Sequence, residues 1–182
     1  MDLRQLTDEQ LALRARTEPR VAFEILFERY RGPLYNFILR QGADEARADD
    51  LFQVTFFKVF RALASFREEA RFKTWLYTIA INAVNDDRRS AQRRGTTTEI
   101  RDTMLVGEPV LGQHEEVACV KAALEHVSPR HRQLFALVRF QGMPIAEAAR
   151  LVGMTPSAAK VTLFRTTKRI GELLAPVREN ES

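Results

Sequence analysis

A single cysteine in 182 residues, Cys119, can close no internal disulfide and complete no cysteine-rich zinc site, which points to a reducing compartment. No run of about 18 apolar residues occurs, so no membrane span is expected. The start, Met1-Asp2-Leu3-Arg4-Gln5, carries no apolar core segment, so no secretory leader is expected either, and the cytoplasm is the default location. Histidine is scarce as well. His114, Cys119, His126 and His131 are spaced by five, seven and five residues, and five residues on a helix is about 140° of rotation, so they diverge rather than converge on a metal. With no glycine-rich phosphate loop of the Walker type, no catalytic site, metal or cofactor is expected. Sustained period-two alternation is also missing, and with it any candidate strand.

What is present is 45% hydrophobic and 29% charged, with 12 Phe against 8 Gly and 7 Pro, a composition for compact folding. Apolar spacing is helical almost throughout, so the fold class is all-α. Thr7 with Gln10 makes a capping-box pattern, and Pro19 opens a helix through Phe23, Leu26, Phe27 and Tyr30 that Gly32-Pro33 should break or bend. A helix from Pro33 to Gln41 stops at Gly42; Asp44 caps the next, which runs to about Ala64, and Phe72 to about Arg89 is the fourth. From Arg93 to Gln113 the periodicity fails and a flexible linker is expected. Glu115 to Val127 is again helical, Ser128-Pro129 opens a helix closed by Gly142, Pro144 to Val152 is a short helix ended by Gly153, and Thr155-Pro156 caps a last helix to about Leu174.

Charge is uneven along the chain. Residues 1–127 hold 19 Lys or Arg and 20 Asp or Glu, a balance of −1, whereas 128–178 hold 9 and 2, a balance of +7. That basic segment contains a short helix, a tight turn at Gly153-Met154-Thr155 and a longer basic helix, the helix-turn-helix plan whose second helix enters the DNA major groove. At about 100° per residue Ala159, Leu163, Thr166, Ile170 and Leu173 face inward. Ser157, Lys160, Val161, Phe164, Arg165, Lys168 and Arg169 face outward. A basic helix face is ordinarily just a solvated one; here the turn and the net +7 favour a polyanion. Lys168 and Arg169 are assigned to the DNA backbone, and Ser157, Lys160, Val161 and Arg165 to base readout. Val161 and Phe164 on the outward face could contact thymine methyls, pack on another domain or meet a protein partner.

In the third helix Phe52, Phe56, Val59, Phe60 and Leu63 share one face, which reads as core. Asp50, Gln53 and Phe57 share another, which suits either solvent or a partner helix. In the fourth, Phe72, Leu76, Ile79, Ala80 and Ala83 form a buried arc with Trp75 at its edge. Beside it runs a stripe of Thr78, Asn82, Asn85 and Arg89, with Arg88, Arg93 and Arg94 just beyond. Amides and planar cations beside aromatics suit unstacked bases, and the preceding loop offers Phe66, Arg67 and Arg71 to a displaced single strand. Trp75 is read as either core or stacking platform.

The order of these features resembles the bacterial sigma-70 superfamily, specifically the short extracytoplasmic-function (ECF) sigma factors that keep only regions 2 and 4. Asp50-Leu51-Phe52-Gln53 through Phe60 is similar to the segment that binds the clamp helices of core RNA polymerase. The string Phe72-Lys73-Thr74-Trp75-Leu76-Tyr77-Thr78-Ile79-Ala80-Ile81-Asn82 resembles the helix that melts the promoter and reads the minus-ten element, and Pro129 to Ile170 resembles region 4. The resemblance implies region 2 over 1–94, a linker over 95–114, region 4 over 115–178 and a tail over 179–182.

It also implies a specificity subunit without catalysis of its own, partnered by core polymerase at its clamp helices and flap, by promoter DNA and by an anti-sigma factor. Asp50, Gln53 and Phe57 would bind polymerase. Phe66, Arg67, Arg71, Lys73, Trp75, Thr78, Asn82, Asn85, Arg88 and Arg89 would meet minus-ten DNA, with Phe66 to Arg71 capturing a flipped base. Ser157, Lys160, Val161, Arg165, Lys168 and Arg169 would meet minus-35 DNA. Val54 stands where the family usually has an acidic residue after the Gln, so one polar contact to polymerase is not expected; Val161-Thr162 stands where it commonly has Ser-Arg, so minus-35 specificity should differ from that of typical members. Two other classes fit less well: a helix-turn-helix regulator acting without polymerase would have no use for the Trp75 to Arg94 stripe, and a protein that binds only other proteins would have none for the basic C-terminal half.

Overall fold

A computed structural model describes residues 3–95, 124 and 126–179, with side chains as far as 172. The expected linker over 95–114 lies outside these residues apart from Gly95, as do His114, Cys119, almost all of the helix expected over Glu115–Val127, and the tail beyond 179. Among the described residues there are seven α-helices and no strand. They are α1 (Asp8–Arg14), α2 (Pro19–Leu39), α3 (Glu45–Leu63), α4 (Phe72–Arg93), α5 (Pro129–Arg139), α6 (Ile145–Leu151) and α7 (Pro156–Glu179), preceded by one 3-10 turn at Leu3–Gln5. No helix among them is long and apolar enough to cross a membrane. The helices fall into two units, α1–α4 and α5–α7.

Local signals set the helix starts. Thr7 Oγ1 accepts the Gln10 N–H at 3.2 Å and Gln10 Oε1 accepts the Thr7 N–H at 3.0 Å, a complete capping box. Asp44 Oδ1 accepts from the Arg47 N–H at 2.8 Å, and Thr155 Oγ1 from the Ala158 N–H at 3.2 Å. Gly42, Gly142 and Gly153 follow helix ends with φ of 90°, 62° and 67°, the left-handed conformation that other residues rarely adopt. Two helices outrun their expected ends: α4 continues four residues past Arg89, and α7 five past Leu174.

Gly32-Pro33 does not break α2, which passes through Pro33 as one helix. A proline in a helix interior costs about 3 kcal/mol. Tyr30, Leu34, Phe37 and Ile38 on either side are all buried, and each large apolar side chain taken out of water returns roughly 1.5–3 kcal/mol, so tertiary packing outweighs the break.

In the first unit α2 packs on α3 and α4, α3 on α4, and α1 against α2 and α4. Along α3, Leu51, Thr55, Phe56, Val59 and Leu63 are buried. Phe60, expected in that core stripe, is 45% exposed: it lies at the edge of the α2–α3 contact, where its ring meets Phe23 at 5.0 Å, the one ring pair it makes among the described residues. Arg47 of α3 clamps Asp87 of α4 with two bonds of 2.7 and 2.6 Å, and Arg29 of α2 holds Asp8 of α1 at 2.6 Å. In the second unit Leu124, Phe135, Leu163 and Ile170 form the core, with Val138 and Ile145 against it.

Tyr30 donates its hydroxyl to Asp8 from a buried position. Burial, then that bond, pushes the phenol well above its ordinary value of 10. Tyr35 is pushed up to about 12, by burial and then by its hydrogen bond to Asp49. The folded chain therefore holds these protons more tightly than the unfolded one. The stabilisation is complete below pH 10 and is lost as pH rises above it, at Tyr30 by at most about 1.4 kcal/mol per pH unit and at the more solvent-screened Tyr35 by less. Urea unfolding midpoints measured from pH 8.5 to 11 should fall with pH, and Tyr30→Phe should make the decline shallower.

Candidate nucleic-acid interface

The buried arc of α4 is wider than its spacing suggested: Phe72, Leu76, Tyr77, Ala80, Ile81, Ala83, Val84 and Ala91 are buried, with Ile79 half-buried at the margin. The remaining face is polar. Thr78 and Asn82 are exposed, Asn85 is half-buried, and Arg89 is exposed with its guanidinium on Asp86. The Thr78 hydroxyl donates to the Thr74 carbonyl at 2.8 Å, leaving its oxygen as an acceptor toward solvent. Arg88 is half-buried, and burial lowers its pKa from the usual arginine value against the opposing pull of Asp87. Lys73 and Trp75 are half-buried, whereas Arg93 and Arg94 are exposed.

Phe66 is not where the sequence reading put it. Its side chain is only 1% exposed, with ring centroids 5.8 Å from Phe72 and 5.4 Å from Trp75, so it has no face to offer a base. Arg67 and Arg71, in the same loop, are exposed. Phe66 thus anchors the loop while its neighbours present charge. The physical cause is the short chain between α3 and α4, which has no other large apolar residue to hold it down. Trp75 is likewise committed on one side to Phe66 and Phe72.

Two further residues hold this surface and carry no sequence signal. Glu9 of α1 accepts the Phe72 N–H at 3.1 Å, capping α4 from another helix where Arg71 supplies no side-chain cap. Arg16 donates to the Phe66 carbonyl at 3.1 Å and so ties the loop to the end of α1.

On α3, Asp50, Gln53 and Phe57 are exposed together with Val54. Phe57 is 62% exposed, with the Arg61 guanidinium 5.8 Å from its ring, and Gln53, Val54, Phe57, Lys58, Arg61 and Ala62 line one shallow, mainly apolar groove. An apolar patch rimmed by polar and basic groups is the form of a protein-binding surface.

In the second unit, Ala149 is fully buried where α6 meets α7, and the inward residues Ala159, Leu163, Thr166 and Ile170 are all buried. Arg130 of α5 donates to the Val152 carbonyl at 2.6 Å and braces the turn. At Gly153 an added Cβ would lie 3.3 Å from that guanidinium, on a φ that already favours glycine. All seven outward residues, Ser157, Lys160, Val161, Phe164, Arg165, Lys168 and Arg169, are exposed. The geometry is a packed helix-turn-helix with a basic outer helix.

The chain matches the Sigma-70 region 2 family over residues 26–94 and the Sigma-70 region 4 family over residues 118–170. It is 32% identical over 160 residues to the RNA polymerase sigma factor CarQ of Myxococcus xanthus, covering 84% of this chain and 89% of that one. It is 30% identical to the ECF RNA polymerase sigma factor SigM of Mycobacterium tuberculosis, covering 85% and 78%. The chain belongs to the ECF sigma factors. Among solved structures it is similar to CnrH in complex with the cytosolic domain of CnrY, with a TM-score of 0.70, 25% identity and 93% and 97% of the two chains covered. It also shares its fold with the sigma factor RpoE of Bartonella quintana, solved with the anti-sigma factor NepR, at a TM-score of 0.72, 23% identity and 84% and 96% coverage. In sigma-factor terms, the region 2 match runs from Leu26 in α2 through α4, and the region 4 match takes in α5, α6 and α7 as far as Ile170.

An anchoring role for Phe66 is distinguishable from a base-contacting one. Phe66→Ala should cost about 3–5 kcal/mol of stability, whereas Arg67→Ala should stay within roughly 0.5 kcal/mol of the parent. Denaturant unfolding of both variants checks this, and an unchanged midpoint in Phe66→Ala would contradict the burial.

Proposed function

We propose that this ECF sigma factor directs promoter-specific transcription initiation through three separate surfaces. The α3 face of Asp50, Gln53 and Phe57 meets the clamp helices of core polymerase. The α4 stripe of Thr78, Asn82, Asn85 and Arg89, helped by Lys73, Trp75, Arg88 and the loop cations Arg67 and Arg71, holds the opened minus-ten strand. The outer helix of region 4 docks in the major groove of the minus-35 element, with Ser157, Lys160, Val161 and Arg165 toward bases and Lys168 and Arg169 toward phosphates, while the same region meets the polymerase flap.

The observation that supports this most is the pairing, in one chain, of a helix with an open amide and hydroxyl stripe and a basic helix-turn-helix. Each has its opposite half fully committed to packing. Two DNA contacts on one chain raise each other's effective concentration, so promoter choice depends on both elements and their spacing. Chemistry belongs to polymerase; this chain contributes binding and orientation in the bacterial cytoplasm, at the nucleoid when active.

An anti-sigma factor covering the apolar α3 groove would hold the free chain inactive; the similar CnrH was solved in complex with the cytosolic domain of CnrY. A regulator acting on DNA alone would leave the exposed Val54 and Phe57 without a purpose.

Run-off transcription with core polymerase, with and without the chain, on genomic promoter fragments tests the reading. Discrete chain-dependent starts sharing two upstream motifs are expected. Gln53→Ala with Phe57→Ala should weaken core binding by about tenfold or more. Asn82→Ala should leave core binding intact and reduce open-complex formation. Salt-sensitive duplex binding with no start and no association with core polymerase would favour the regulator instead.

A further inference from the structure

The outward face of α7 is not uniformly basic. With about 100° between residues, Val161 lies about 170° from the middle of the buried arc of Ala159, Leu163, Thr166 and Ile170, at the crest of the helix. Ser157 and Lys168 share that crest, Phe164 and Arg165 lie about 130° from the arc on opposite sides, and Lys160 and Arg169 fall about 90° from it on opposite sides. Val161 is 51% exposed and Phe164 71%. Toward its N-terminal end the crest thus carries Ser157 and the apolar Val161, with Phe164 beside them, and cations on both flanks, Lys160 on one side and Arg165 and Arg169 on the other.

That arrangement fits one occupant. In a major groove the N-terminal turns of such a helix reach the base edges and its later residues the backbone, so Val161 on the crest, flanked by Lys160 and Arg165, faces bases, while Lys168 and Arg169, two turns further on, meet phosphate. Val161 has no donor or acceptor, so it can form none of the hydrogen bonds that distinguish guanine, adenine or cytosine in the major groove. The apolar group a thymine presents there is its C5-methyl. Valine is also β-branched and holds one rotamer in a helix, so its methyls are positioned before DNA arrives. Sitting in the second turn after the Thr155 cap, it lies at the end of the helix that reaches deepest into the groove.

We infer that Val161 is a specificity residue of this sigma factor, selecting a thymine in the upstream promoter element by contact with its C5-methyl group. The inference rests on the region 4 reading above. It adds that one position of the element is read by apolar contact rather than by hydrogen bonding.

The test uses holoenzyme assembled from the full chain and core polymerase. Promoter duplexes with a randomised upstream element are selected, and each thymine of the best duplex is then replaced singly by deoxyuridine, which removes the methyl and nothing else. For the parent chain one replacement should weaken binding about fourfold, the worth of one buried methyl group. For Val161→Ala, the thymine and uracil duplexes should bind alike at that position. Equal binding of every uracil duplex by the parent overturns the inference, as does a penalty that persists in Val161→Ala, while selection of a defined element leaves the region 4 reading standing in either case. If no upstream element is selected and Lys160→Ala and Arg165→Ala leave promoter binding unchanged, the region 4 reading falls and the inference with it.

Discussion

The packing of Phe72 at the first turn of α4 is the contact on which the region 2 surface depends. Its ring meets Tyr30 of α2 at 5.5 Å, Phe66 of the loop at 5.8 Å and Trp75 one turn on at 5.6 Å, while its N–H is held by Glu9 of α1. One residue joins four segments. Aromatic pairs of this kind, edge-to-face with Tyr30 and Phe66 and tilted with Trp75, add about 0.5–1.5 kcal/mol each beyond the area they bury. More than the energy, they set the rotation of α4 about its axis. With Phe72 inward, and Tyr77 one and a half turns later against Phe37 at 5.1 Å, the helix has no choice but to turn Thr78 and Asn82 outward.

The same logic explains what could be read before any coordinates. An interaction confined to one helix leaves a periodic trace, so the all-α class, the caps at Thr7, Asp44 and Thr155, the outward stripe of α4 and the whole outward face of α7 were all legible. Interactions between distant segments leave none. Glu9 capping α4, Arg16 holding the loop, Arg47 clamping Asp87 and Arg130 bracing the turn each join residues 22 to 63 positions apart, and a lone charged residue looks alike whether it is solvated or paired. Phe66 was misread for a related reason. A loop aromatic beside two arginines has the composition of a base-binding site, and only the ring of Phe72 beneath it shows that the aromatic is the anchor. Pro33 and Phe60 went wrong in the opposite direction, local rules being overridden by packing at one and cut short at a helix edge at the other.

The two helices offered to DNA differ in how far their forces reach. On α4 the charge is partly compensated within the helix: Arg89 pairs with Asp86, and Arg88 sits half-buried beside Asp87. What it offers outward is chiefly amide and hydroxyl, which act only at hydrogen-bond distance. Among the described side chains the outward cations of α7 form one ion pair, Lys168 with Glu172 at 3.9 Å, an exposed pair that is worth little. That field extends over a Debye length, about 8–10 Å at ordinary ionic strength.

On the reading proposed here the asymmetry orders the events. The duplex is drawn first to the helix whose force is long-ranged and insensitive to base pairing, and its register is then set by contacts at the crest of that helix. The α4 stripe can act only after strands separate, since amides and hydroxyls that hold unstacked bases gain nothing from a closed duplex. A chain with these surfaces exchanged, long-ranged charge at the melting site and short-ranged amides at the duplex site, would hold any single strand it met and find promoters slowly. Setting Asp86 and Asp87 beside the arginines of α4, while the outward cations of α7 form one weak, exposed pair with Glu172 among the described side chains, prevents that.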